Sequence, residues 1–137
     1  MPDQSHVGRR YEALAQKIEP EAVAAFAQAI AGADPVFDAS SIPPTFAAVY
    51  CLYPTLGQLL MDDEVGIDLA GLIHGEQVFE WPNPLRAGDS VDASCRIAGV
   101  AEKRGLTFVD IECEAHRASD GVTVCRGTSK MIIRDGS

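Results

Sequence analysis

The chain is poor in basic residues, and its few cysteines are not paired in the sequence. Eleven Lys and Arg against twenty Asp and Glu give a net charge of −9, a balance that repels nucleic acid. No CxxC spacing occurs among the four cysteines, so we expect buried reduced thiols and no metal site; these residues are Cys51, Cys95, Cys113 and Cys125. No apolar run approaches the roughly 20 residues that cross a bilayer, and the first residues lack the apolar stretch of a signal peptide. We therefore expect a cytoplasmic protein with no membrane or nucleic-acid partner.

The length and the apolar content fit one domain with its own core. The chain has 137 residues, of which 47% are hydrophobic. We expect residues 1–8 to form a flexible N-terminal tail and residues 9–134 to form a single domain.

The first half predicts helices. In "EPEAVAAFAQAIAG", Pro20 suits a first helical turn and Gly32 a C-terminal stop. Val23, Phe26, Ala27 and Ile30 recur at helical spacing on one face. The apolar stretch Thr45 to Tyr53 is compatible with a buried strand or with a helix, and Pro54 to Met61 predicts a short second helix.

The second half predicts strands. Apolar and polar residues alternate in "SVDASCRI" and more regularly in "FVDIECEAHR", and Asp120-Gly121 is a strong hairpin signal. Such alternation indicates an antiparallel sheet with one covered face. We therefore predict an α+β domain in which a curved antiparallel sheet wraps a long Ala-rich helix.

Three stretches, in this order and spacing, resemble one known family. They are "GADPVF" after the first helix, "PPTF" at residues 43–46, and "HGEQVFEWPNPLRAGDSV" at residues 74–91. Together they resemble the MaoC-like dehydratase family, in its N-terminal or FAS1-like dehydratase type, over roughly residues 8 to 134. The resemblance implies a hot-dog fold. It also implies hydration of trans-2-enoyl thioesters of CoA or acyl carrier protein (ACP), or the reverse dehydration of (R)-3-hydroxyacyl thioesters.

The resemblance also implies that the proton-transfer residues are missing. Active members carry a loop similar to Gly-Asp-x-Asn-Pro-aliphatic-His, whose Asp and His handle the water and the proton. Against that pattern, Gly32 takes the position of the Asp and Phe37 that of the His, and neither side chain exchanges a proton. The resemblance therefore implies no catalytic residue in this chain, no metal or other cofactor, and a second hot-dog subunit with an intact Asp/His loop.

Two other functions stay open at this stage. One is a homodimer that binds acyl thioesters without catalysis. The other is a hot-dog thioesterase, which usually places an acidic residue on the central helix; Gln28 is the one polar residue in the stretch Val23 to Ile30. The acyl group could be fatty, branched or steroid.

The candidate substrate-binding residues lie in the loop that follows the first helix, in "PPTF" and in "HGEQ". His74, Gly75 and Gln77 belong to "HGEQ", where a structural hydrogen bond is the competing interpretation. Since Glu76 and Gln77 are neighbours on a strand, they should point to opposite faces. The others are expected to line an acyl channel or, alternatively, to be core residues; they are Phe37, Pro44, Thr45 and Phe46.

Overall fold

The computed structural model describes residues 1–31 and 42–134 and contains five strands and two α-helices. In chain order these are β1 (Arg10–Lys17), α1 (Pro20–Ala31), α2 (Tyr53–Leu60), β2 (Leu72–Glu80), β3 (Ser90–Lys103), β4 (Leu106–Arg117) and β5 (Thr123–Arg134). None of the helices described is long and apolar enough to cross a membrane.

The five strands form one antiparallel sheet in the order β1-β3-β4-β5-β2. The tight turn between β3 and β4 uses positive φ angles at Arg104 and Gly105, and Gly121 adopts one (φ 74°) in the predicted β4–β5 hairpin. β1 and β2 are the edge strands. The arrangement confirms the predicted α+β class.

The covered face of the sheet is the one that the alternation predicts. On β3 and β4, eight apolar or thiol side chains of this face are buried; they are Val91, Ala93, Cys95, Ile97, Val109, Ile111, Cys113 and Ala115. β5 contributes Met131 and Ile133 to the same core. Because every second residue faces this core, the register of the three central strands is strongly specified.

The helical segment from Pro44 to Leu60 supplies much of the cover over this face. It begins with a 3₁₀ turn (Pro44–Phe46), continues as a π-helical stretch (Ala48–Leu52) and then becomes α2. Its buried side chains include Phe46, Tyr50, Cys51, Leu52, Leu56 and Leu59. The stretch that was compatible with strand or helix is therefore helical.

A proline explains the irregular start of α2. Pro54 has no N–H to donate to the carbonyl of Tyr50, four residues earlier. The Gln16 side chain, on β1, donates to that carbonyl instead (3.1 Å). The helix is thus joined to the edge strand at the point where its own hydrogen bonding is interrupted.

The Ala-rich helix α1 packs through a narrow stripe. Val23 and Ala27 are buried, and Phe26 packs edge-to-face on Phe46 with ring centroids 5.2 Å apart. Ile30, predicted to lie on the same apolar face, is 53% exposed. The buried stripe of α1 is therefore shorter than the apolar pattern in the sequence predicts.

Residues 1–8 have local structure. Gln4–His6 form a 3₁₀ turn capped by Asp3, and the Gly8 N–H donates to the Ile97 carbonyl (2.8 Å). The sequence predicts a flexible tail here, and its mobility stays a prediction. The turn and this hydrogen bond place the segment against β3.

The four cysteines are buried and unpaired, as the sequence predicts. Cys51 Sγ lies 3.6 Å from Cys113 Sγ. The neighbouring thiols of Cys113 and Cys125, together with burial, raise the pKa of Cys51. Since the thiolate is the reactive form, Cys51 is expected to be an inert core residue.

Candidate functional site

A bulge in β2 brings His74 and Gln77 to the same side of the sheet. His74 pairs with Met131 and Gln77 with Ser129 on β5, and the register shifts by one residue between them. Strict alternation would put residues three apart on opposite faces, and the extra residue cancels that difference. Both side chains therefore point to the covered face, whereas Glu76 points to the opposite face, as predicted for Glu76 and Gln77.

Gly75 lies within this bulge and has little space beside it. A Cβ at Gly75 would be 3.0 Å from Ile132 Cδ1 and 3.4 Å from the Lys130 carbonyl oxygen. Glycine therefore suits this position because the backbone lies close to β5.

His74, Gln77 and Ser129 form a hydrogen-bonded network at this edge of the sheet. The Gln77 Nε2 amide donates to the Val78 carbonyl (3.1 Å). The Gln77 Oε1 atom accepts from the Ser129 hydroxyl and lies 3.0 Å from His74 Nε2. Because an amide oxygen only accepts, His74 Nε2 must carry the proton in this arrangement. The lone pair of the neutral ring is then on Nδ1, which has no hydrogen-bond partner among the described residues.

On the covered side of the sheet, His74 and Gln77 are followed by the aromatic side chains of Phe79 and Trp81. We call this row of four residues the strip. The rings of Phe79 and Trp81 lie 6.0 Å apart between centroids. A Cβ at Gly127 would be 3.0 Å from Phe79 Cδ1 and 3.1 Å from Gln77 Nε2, so the missing side chain of Gly127 leaves room for both. The covered side of β2 thus changes from polar at His74 to apolar at Trp81.

The strip ends at a cavity of about 490 Å³. Four prolines, Trp81 and several other apolar side chains form most of the wall; the lining residues are Ile42, Pro43, Pro44, Tyr50, Trp81, Pro82, Asn83, Pro84, Leu85 and Val124. Burial raises the pKa of Tyr50, so its side chain is a neutral phenol in this wall. A volume and lining of this kind suit a small organic group with a large apolar part.

The loop between β2 and β3 forms one side of the cavity and is held in place by polar contacts. The Arg86 N–H donates to Asp89 Oδ2 (3.0 Å), a side-chain bond that stabilises the turn. Arg117, on β4, donates to the Pro84 carbonyl and to Asp120 Oδ2 (2.6 Å). Arg117 therefore ties the loop to the sheet.

The predicted site residues separate into three groups. His74, Gly75 and Gln77 lie together on β2, and Pro44 lines the cavity. Thr45 is exposed and does not contribute to the lining, and Phe46 is buried between Phe26 and Tyr50 in the core. Gly32 and Phe37 lie outside the described residues, so their roles stay predictions.

Sequence reasoning missed Ser129, Gly127 and Trp81. Ser129 is a buried polar residue at an inward position of an alternating strand, and this signal could have marked it. Trp81 is the one tryptophan of the chain and precedes a proline-rich loop. Gly127 is recognisable only once β2 is known to pair with β5.

The two main helical segments contain almost no acidic residues. Glu21, in the exposed first turn of α1, is the one Asp or Glu in Pro20–Ala31, and residues 44–60 have none. Neither segment therefore presents a carboxylate to the core as a nucleophile or base.

Comparisons with known proteins agree with this architecture. Residues 5–126 match the profile of the FAS1-like, dehydratase domain region. A UPF0336 protein of Streptomyces coelicolor is 31% identical over 145 aligned positions, which cover 96% of this chain and 95% of the relative.

Solved structures share the fold at lower sequence identity. The truncated HadBC (3R-hydroxyacyl-ACP dehydratase) complex of Mycobacterium tuberculosis superposes with a TM-score of 0.75 and 22% identity, covering 93% of this chain and 96% of that chain. The ChsH1–ChsH2 complex of the same organism gives a TM-score of 0.66 and 16% identity, covering 92% and 85%. These similarities confirm the predicted hot-dog fold.

Proposed function

Because the chain belongs to the FAS1-like dehydratase family, we propose that it is one subunit of a two-chain (R)-specific enoyl-thioester hydratase or 3-hydroxyacyl dehydratase. In this assembly the chain binds part of an acyl-CoA or acyl-ACP substrate. The second hot-dog subunit supplies the catalytic Asp and His, because this chain has Gly32 and Phe37 at those positions of the family pattern.

The observation that carries the proposal is the strip on the covered side of β2. Its polar end at His74 and Gln77 is suited to the polar arm of the substrate, and its apolar end opens into the cavity. From Gln77 to Trp81 a strand extends about 13 Å, at roughly 3.3 Å per residue. An acyl thioester lying along β2 would place its polar groups at His74 and its apolar tail beside Trp81.

The free edge of β2 supports the proposal of a hot-dog partner. Among the described residues β2 pairs with β5 alone, and Ile73 and Val78 expose 42% and 46% of their surface beside the other edge. Unpaired edges with exposed apolar side chains are usually covered in native proteins. The other edge strand, β1, also has a bulge, and there the Ala15 N–H is already bonded to Asp92 Oδ1 (2.8 Å) on the neighbouring strand.

The proposed reaction uses only groups that two such chains can provide. Adding water to an enoyl thioester requires an acid, a base and hydrogen-bond donors for the carbonyl oxygen. We therefore propose no metal or redox cofactor. A cytoplasmic role in lipid metabolism follows from the acyl-thioester substrate and remains part of the proposal.

The test is hydration of a trans-2-enoyl-CoA, followed as loss of enoyl-thioester absorbance. We expect no turnover by the purified chain alone. The double substitution Gly32→Asp, Phe37→His should introduce weak activity, because it restores both groups of the family loop. Turnover by the unmodified chain would contradict the proposal and would point to His74 as a proton-transfer group.

The same assay separates the two alternatives. Tight CoA-ester binding without turnover, even beside a subunit with an intact loop, would favour a binding homodimer. Release of free CoA from a saturated acyl-CoA would favour a thioesterase, for which the helices described here offer no inward-facing carboxylate.

A further inference from the structure

We propose that His74 Nδ1 is a hydrogen-bond acceptor for an amide N–H of the pantetheine arm that carries the acyl group, and that Gln77 is the positioning residue that gives His74 this polarity. The inference deepens the proposed function and rests on it. It assigns a specific chemical partner, the secondary amide common to CoA and to carrier-protein thioesters, to one atom of the chain.

The polarity of His74 follows from a chain of fixed donors and acceptors. The Val78 carbonyl fixes the orientation of the Gln77 amide, because a flipped amide would place Oε1 against that carbonyl oxygen. In this orientation Oε1 accepts from the Ser129 hydroxyl. With Oε1 facing His74 Nε2, the Nε2–H tautomer makes a hydrogen bond and the alternative tautomer would bring two acceptors together. The His74 ring is thereby held with its acceptor atom, Nδ1, on the side away from Gln77.

The position of His74 favours contact with the pantetheine arm over contact with the acyl tail. The apolar part of the strip begins at Phe79 and continues to Trp81 and the cavity, in the direction away from His74. His74 itself is exposed, which is where a polar arm would leave the site toward its carrier. An acceptor nitrogen there complements an amide N–H and does not complement the thioester carbonyl, which also accepts.

The first experiment examines the tautomer without any ligand. Long-range ¹H–¹⁵N correlation spectra of the purified chain, recorded where histidines are neutral, should show His74 as the Nε2–H form. Gln77→Leu should shift the His74 signals toward a mixture of tautomers. Unchanged His74 signals in Gln77→Leu would overturn the positioning role of Gln77. His116, on the opposite face of the sheet beside Glu114, serves as an internal reference.

The second experiment measures binding with matched small thioesters. Hexanoyl-N-acetylcysteamine has one amide of the arm, and an S-alkyl hexanethioate of equal length has none. We expect the wild-type chain to prefer the amide compound by about fivefold, the scale of one net hydrogen bond. His74→Phe should abolish the preference, His74→Asn should retain part of it, and His116→Phe should leave it intact.

Equal binding of the two thioesters, no binding of either, or a preference that survives His74→Phe would overturn the inference. Hexanoyl-CoA and hexanoyl carrier protein then distinguish the two sources of the arm. The carrier bound more tightly is the natural one, and both must weaken in His74→Phe. This result is separable from the proposed function, because arm binding is measured without turnover and hydration is measured with the partner subunit present.

Discussion

Alanine at Gly127 would place a methyl group in the most crowded part of the site. The added Cβ would lie 2.6 Å from Cys113 Sγ, 3.0 Å from Phe79 Cδ1 and 3.1 Å from Gln77 Nε2. Cys113 has little room to move, because it is 1% exposed and Cys51 Sγ lies 3.6 Å away. We therefore expect the backbone or Gln77 to shift, with loss of the bond that orients His74.

The expected cost is that of overpacking a core, about 1–3 kcal/mol of unfolding free energy. For a domain of this size that corresponds to a decrease in Tm of roughly 3–10 °C. The assay is thermal unfolding followed by circular dichroism, together with binding of the N-acetylcysteamine thioester.

Two further variants make the prediction specific. Gly57→Ala is the matched control, since Gly57 is in α2 and its added Cβ would meet nothing within 4 Å beyond the adjacent backbone of its own helix; it should stabilise by about 0.5–1 kcal/mol. Adding Cys113→Ala to Gly127→Ala removes the closest contact, so the double variant should be more stable than the sum of the single changes predicts. A Gly127→Ala chain that melts at the wild-type temperature, or strictly additive changes, would refute the reasoning.

Three other substitutions test separate parts of the structure. Gln16→Leu leaves the Tyr50 carbonyl without its side-chain donor and should cost about 1 kcal/mol in urea unfolding, whereas an unchanged midpoint would show that the bond is not needed. Arg117→Ala removes the anchor of the β2–β3 loop and should cost about 1–3 kcal/mol and speed proteolysis within residues 82–89; equal cleavage rates would contradict this role. The Tyr11 hydroxyl donates to Asp62 (2.6 Å) and lowers the pKa of that carboxyl. The ionised Asp62 therefore stabilises the fold above the usual carboxyl pKa of about 3.9, and this stabilisation is lost as the pH falls through the lower pKa of the folded state. Asp62→Asn should therefore flatten the dependence of Tm on pH below about pH 4, and an unaltered acid profile would argue against this bond.

The central strands were predictable from the sequence because one face of each is buried. From Val91 to Ile97 on β3 and from Val109 to Ala115 on β4, each inward position is apolar or a small thiol. The stretch Thr45 to Tyr53 was not decidable, since a segment packed on several sides is apolar throughout. Its conformation depends on Pro54 and on a donor from β1, Gln16, which lies far away in sequence.

The site was only partly predictable, because it depends on one pairing irregularity. "HGEQ" identified the correct strand, but simple alternation places His74 and Gln77 on opposite faces. The bulge that unites them forms through pairing with β5, which is more than 50 residues away in the chain. Ser129 and Gly127 belong to that pairing, and no local pattern in β2 indicates them.

The most direct test of the central claim is a subunit titration. A candidate partner, a hot-dog chain with an intact Asp/His loop, is held at constant concentration while this chain is added, and hydration of a trans-2-enoyl-CoA is followed. We expect the rate to rise from a low value and to reach a plateau at one copy of this chain per catalytic subunit, with no activity from this chain alone. A rate that is independent of this chain, or full activity without the partner, would contradict it.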